Sequence, residues 1–145
     1  MGRSGKRVHG RAMTLRLILL SGLPVLLTAC AAAPTGPANL LAGTRWRVVT
    51  IDEAAPVSKK SELALTSYNL SATVGCNRLN GPWRIEGERM IAGPLIQTMM
   101  ACDEAVMAQE QALSTLLTAA PKVTVSGKRL LLKTSGHAAE FRRED

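Results

Sequence analysis

Aromatic residues are scarce: two Trp, one Tyr and one Phe in 145 residues. A core built from this chain must rest mainly on Leu, Val, Ile and Met, with Trp46, Tyr68, Trp83 and Phe141 as the only rings. Histidine is scarcer still. One of the two lies near the start; the other, His137, sits in a Ser-Gly-His turn and reads as an exposed loop residue. An acyl-transfer site needs a nucleophile, a base and an orienting group, and no such set is visible. Glu86 and Glu88 flank a hairpin Gly, where solvation is the better reading than a glycosidase-like pair. Gly75 and Gly81 lack the following Lys-Ser/Thr of a phosphate-cradling loop. The chain is therefore expected to be no enzyme and to carry no cofactor or metal.

Long apolar runs are missing too. The best, Leu17 to Leu27, is about 11 residues, against roughly 20 for a membrane-spanning helix. Five cations (Arg3, Lys6, Arg7, Arg11, Arg16) and no acid precede it, and Thr28-Ala29-Cys30 closes it. A basic start, a short apolar stretch, small residues and a cysteine make a secretion signal of the lipoprotein type. The alternative, a buried core helix, is weakened by Gly22 and Pro24. Met13 is a second possible start. In this reading 1–29 is the signal peptide, Cys30 carries lipid, 30–40 is the lipidated N-terminus and a flexible tether, and 41–145 is one domain. Ala31 after the lipidated cysteine, rather than Asp, points to the outer membrane, facing the periplasm.

Without the five signal cations, 13 Lys+Arg face 11 Asp+Glu. The high pI of about 9.9 thus gives no reason to expect nucleic acid. Lys59-Lys60 and Arg142-Arg143 read as solvated ends rather than a binding stripe. With Cys30 lipidated, Cys76 and Cys102 remain, an even count in an oxidising compartment. A disulfide is favoured, closing a loop worth on the order of 3 kcal/mol. Free thiols, or metal or redox chemistry, stay open, although two sulfurs alone make a poor zinc site.

Alternation predicts strands at 44–51, 62–66, 70–74, 83–85, 90–92, 122–125, 130–133 and 139–142. Residues 77–81 are rich in turn formers and read as a loop. Residues 103–120 lack Gly and Pro and read as a helix, with Asp103 as its cap and Pro121 as its stop. Val106, Met107, Leu113 and Leu117 fall on one side of it. Glu110 falls there too; either it has a partner or it sits at the stripe's edge and reaches water.

The run Val74-Gly75-Cys76-Asn77-Arg78-Leu79-Asn80-Gly81-Pro82-Trp83 resembles the signature of the META domain, also called the HslJ family. Thr98-Met99-Met100-Ala101-Cys102, then Met107 and Glu110, resembles its second block. Leu79 and Trp83 replace the usual Phe and Tyr, and the upstream glycine is missing. The resemblance spans about 41–142. It implies an α+β fold: an antiparallel, partly closed barrel-like sheet with one packed helix over about 103–120. It also implies that Cys76 and Cys102 pair, with Gly75, Asn77, Arg78, Gly81, Trp83, Thr98, Met100 and Glu110 as structural or binding residues.

From the residue types, Gly75 and Gly81 would supply backbone freedom. Asn77 would bond to its own loop's amides, and Arg78 would answer Glu110 or be solvated. The family implies a non-enzymatic envelope lipoprotein that supports stress tolerance through binding. The alternative is a pilot-like or chaperone-like carrier of an apolar peptide or lipid. Expected partners are the membrane, through the lipid, and an unknown protein or small apolar ligand. The domain is expected to be a monomer.

Overall fold

The computed structural model describes residues 40–145, so the signal peptide, Cys30 and most of the tether lie outside the described residues. Lying wholly among the described residues are nine strands and one helix: β1 Thr44–Ile51, β2 Glu62–Leu65, β3 Asn69–Thr73, β4 Arg78–Glu86, β5 Arg89–Ala92, β6 Ile96–Gln97, α1 Glu104–Thr118, β7 Lys122–Ser126, β8 Arg129–Lys133 and β9 Ala138–Glu144. All strand pairs are antiparallel, in the order β3-β2-β1-β9-β8-β7-β5-β4, and β4 pairs back onto β3. Eight strands therefore close a barrel, with the short β6 added alongside β4. The expected α+β class and barrel-like sheet are what the chain adopts, and closure goes further than expected. The ring is thinnest between β5 and β7, where one residue pair, Arg89 and Lys122, is in register. Two backbone bonds flank it, from Met90 N–H to the Pro121 carbonyl at 3.0 Å and from Val123 N–H to the Glu88 carbonyl at 2.7 Å.

Side chains alternate along each strand, so one set points into the barrel. In β1 this buries Thr44, Trp46 and Val48 and exposes Arg45, Arg47 and Val49. A register shift between Val48 and Thr50 then returns Ile51 to the interior, as a β-bulge does. Trp46, Met90, Leu130, Leu132 and Phe141 fill the barrel together with Leu113, Leu116 and Leu117 of the helix. An eight-stranded barrel has an interior just wide enough to be filled by side chains. Among the described residues the ring of strands closes on itself around one core, so 40–145 forms a fold of its own. Among the described residues, no buried side-chain nitrogen or oxygen lacks a hydrogen-bond partner.

Three local expectations are corrected. Residues 77–81 are not a loop; from Arg78 onward they are strand, because pairing with β3 on one side and with β6 on the other outweighs local turn preference. The helix is Glu104–Thr118, and Asp103 stands at its N-cap without a capping side-chain bond. Its buried residues are Glu110, Leu113, Leu116 and Leu117, while Met107 is 46% exposed. The inward stripe runs Val106, Glu110, Leu113, Leu117 at helical spacing. Met107 is one residue, or about 100°, off that line.

Candidate functional site

The two sequence blocks meet where β3 turns into β4 and where the chain leaves β6 for α1. Cys76 and Cys102 are joined by a disulfide with a Cα–Cα distance of 6.6 Å. Beneath it, the Glu110 carboxylate is almost fully buried, 4% exposed. Its Oε1 accepts hydrogen bonds from the backbone N–H of Cys76 at 2.9 Å and of Asn77 at 2.7 Å. Its Oε2 accepts one from Asn77 Nδ2 at 2.9 Å. Three donors around one carboxylate are what burial of a charge requires.

Asn77 extends the network to the second block. Its Nδ2 also donates to the Met100 carbonyl at 3.0 Å. Its Oδ1 accepts from Met100 N–H at 2.8 Å and from the Thr98 hydroxyl at 3.0 Å. The Thr98 oxygen in turn accepts from Arg78 N–H at 3.0 Å. One buried amide thus stitches two loops and a helix together.

This geometry revises several roles. Glu110 does not sit at the stripe's edge; it is buried with partners. Arg78 is not its partner, because strand alternation turns Asn77 and Leu79 inward and Arg78 outward. Asn77 bonds across to Met100, Thr98 and Glu110 rather than to amides of its own loop. Gly75 and Gly81 serve close approach rather than backbone freedom. A Cβ on Gly75 would overlap the Val106 side chain and lie 3.1 Å from Glu110 Oε1. One on Gly81 would lie 2.5 Å from the Pro94 carbonyl oxygen. Trp83 is buried away from the network, and its indole N–H donates to the Thr66 carbonyl at 3.0 Å.

Close to Cys102 in the sequence, Ile96, Met99, Met100 and Met107 are large apolar side chains left exposed. An open polar cleft of ≈ 410 Å³ is bordered by Gly75 and Cys76 and lined by Arg47, Lys59, Lys60, Glu62, Arg78 and Glu144. Within it Arg47 Nη2 meets Glu144 Oε1 at 2.7 Å. Apart from Arg78, this cleft is not legible in the sequence. Its cations come from three separate stretches, and no spacing rule joins them.

His137 is half-buried rather than exposed. Its Nδ1 lies 2.7 Å from Asp52 Oδ2, and Asp52 Oδ1 accepts from Ala138 N–H at 2.9 Å. Partial burial alone would raise the Asp52 pKa. The Ala138 hydrogen bond and then the His137 hydrogen bond and charge outweigh it, and hold the carboxyl below its ordinary value. Among the described residues no hydroxyl hydrogen-bonds the His137 ring. Glu86 and Glu88 are exposed and engaged by Arg84 and Lys122. No three His, Cys, Asp or Glu residues among those described stand close enough to hold a metal.

Among solved structures, the fold is similar to that of a protein determined by NMR, with a TM-score of 0.65 at 19% identity over 72% of this chain and 92% of that one. A Burkholderia xenovorans protein, also solved by NMR, gives 0.61 at 24% identity over 84% and 99%. A DUF4847 family protein from Bacteroides vulgatus gives 0.53 at 12% identity over 76% and 100%. At these identities the likeness establishes the fold alone. No protein of curated function matches the sequence significantly. The family model for the META domain matches residues 39–145, in keeping with the barrel, the two blocks and the helix. The chain belongs to the META domain family.

Proposed function

We propose that this chain is a non-enzymatic lipoprotein of the cell envelope, anchored by lipid on Cys30 to the outer membrane and facing the periplasm, whose META domain works by binding at its outer surface. The META domain is not a known enzyme family. The carrying observation is the fate of the motif's polar groups. Asn77 and Glu110 direct their side-chain bonds to each other and to Thr98, Met100 and the Cys76–Asn77 backbone. The set is satisfied from within the protein, so the motif builds a rigid edge. A disulfide there suits an oxidising compartment. Support of stress tolerance is the physiological role this reading carries.

The second reading, a pilot-like or chaperone-like carrier, moves from the interior to the surface. Side chains fill the barrel, so an apolar peptide or lipid would meet Ile96, Met99, Met100 and Met107 instead. Methionine surfaces adapt to varied apolar partners.

Metabolic labelling with palmitate tests the anchor. The full chain takes up label and sediments with membranes, and Cys30→Ala takes up none. Equal labelling of both, or of neither, overturns the lipoprotein reading. A native mass spectrum of 39–145 separates the two modes: co-purified apolar mass, lost on denaturation, supports the carrier.

A further inference from the structure

Two of the segments that line the polar cleft are pinned in place. Lys59 and Lys60 sit in the turn that leads into β2, and buried Ser61 fixes the end of that turn. The Ser61 carbonyl accepts from Val48 N–H of β1 at 3.0 Å, and the Ser61 hydroxyl lies 2.8 Å from the Val74 carbonyl oxygen. Gly75 and Cys76 are held by the disulfide and by the Glu110 carboxylate. Strand register supplies the rest of the lining. Arg47 of β1 pairs with Glu62 of β2, Glu62 with Thr73 of β3, and Thr73 with Arg78 of β4, and all four residues line the cleft.

The charges of the cleft do not balance. Arg47, Lys59, Lys60 and Arg78 share it with only two acids, Glu62 and Glu144. Glu144 is taken up by Arg47, whose Nε and Nη2 donate to its Oε1 at 2.9 and 2.7 Å. Lys59, Lys60 and Arg78 are exposed and make no ion pair among the described residues. Set against Glu62, these three leave an excess of two positive charges. Like charges gathered in one concavity repel each other, and the field they focus draws in an anion.

We infer that this cleft binds a phosphomonoester on a small polar body, with Lys59, Lys60 and Arg78 as the counter-charges of the phosphate. A phosphomonoester carries close to two negative charges at neutral pH, which matches the excess. A volume of ≈ 410 Å³ is in the range of small-molecule sites and leaves room for more than the phosphate group. The lining is polar, so the body attached to the phosphate is a hydroxylated one rather than an acyl chain. The pinned segments keep the cations in place before the ligand arrives, which lowers the ordering cost of binding. The inference gives a site and a ligand class to the outer-surface binding proposed above, and rests on that reading. It also gives the rigid edge a use: the staple at Cys76 sets part of the cleft's lining.

The test titrates the isotope-labelled segment 39–145 with glycerol phosphate and reads amide shifts by NMR. The amides of Ser61, Gly75 and Cys76 should move along one saturating curve with a Kd of about 1 mM or tighter, and glycerol should leave them still. Changing Lys59, Lys60 and Arg78 together to Gln should weaken binding about tenfold or more. The same change at Arg84, Lys128 and Lys133, outside the cleft, should leave it within about twofold at ordinary salt. Circular dichroism and an intact disulfide mass confirm that both variants fold. Equal shifts with glycerol, no shift at the cleft amides, or equal loss in the two variants overturns the inference. Vesicles containing phosphatidic acid, the acylated form of the same phosphate, then separate the two sources of this chemistry. Co-sedimentation lost both to glycerol phosphate and to the Lys59, Lys60 and Arg78 change assigns a lipid headgroup; any other result assigns a soluble ligand. The segment lacks Cys30, so the outcome is independent of the palmitate experiment. Failure here leaves the apolar carrier reading to the native mass spectrum.

Discussion

Glu110 shows how much one carboxylate can organise. It satisfies two backbone amides and one side-chain amide while almost fully buried itself. Replacing it with Ala leaves those donors buried and unmet, and chemical denaturation should show a loss of about 3 kcal/mol or more. Glu110→Gln should cost less, because its carbonyl oxygen can still take the two backbone amides while its NH2 group opposes Asn77 Nδ2. Gly75→Ala forces a methyl group against Val106 and toward Glu110, so a destabilisation of about 1–3 kcal/mol is expected from the same unfolding curves. The position of Glu110 on the apolar stripe was legible in the helix periodicity. Its partners were not, because they lie 33 and 34 residues away and two of the three donors are backbone amides.

Elements are held to one another at two fastenings. The disulfide ties the β3–β4 connection to the residue before the α1 cap, across 26 positions. An intact mass two hydrogens short of the reduced chain is expected, and Cys76→Ser with Cys102→Ser should lower the unfolding free energy by about 3 kcal/mol. The other fastening is Asp52–His137, which ties the end of β1 to the β8–β9 turn. Asp52 has a lowered pKa in the folded chain, so the folded state binds its proton less readily than the unfolded one. Its contribution is present at neutral pH and fades as pH falls through the ordinary carboxylate value of about 4 and below. Asp52→Asn should therefore be less stable at neutral pH and should lose stability less steeply in acid, as thermal melts across that range will show. Most strands and the helix were legible from alternation and helical spacing. The 77–81 stretch was not, since its two Asn and its Gly signal a turn locally and only pairing with β3 on one side and β6 on the other makes it strand. The two-residue β6 leaves too short a pattern to find.

For the molecule as a whole, strand order is the part that no local pattern carries. Periodicity indicates which residues face inward but not that β4 returns to β3 or that β1 lies beside β9; the barrel expectation came from the resemblance of the two motif blocks. The polar cleft was illegible for the same reason, since Arg47, Lys59, Lys60 and Arg78 meet only once the strands around it are in register. The pairing of β1 with β9 also has a kinetic side. Arg45 sits opposite Glu144 and Trp46 opposite Arg143, so the first strand of the barrel waits for the last. A chain emerging from its N-terminal end can make the β1-β2-β3-β4 meander early, but β1 keeps an unpaired edge until nearly all the domain is available. Such distant pairings slow folding. The order of events thus places barrel closure at the end of synthesis and leaves the chain open until then.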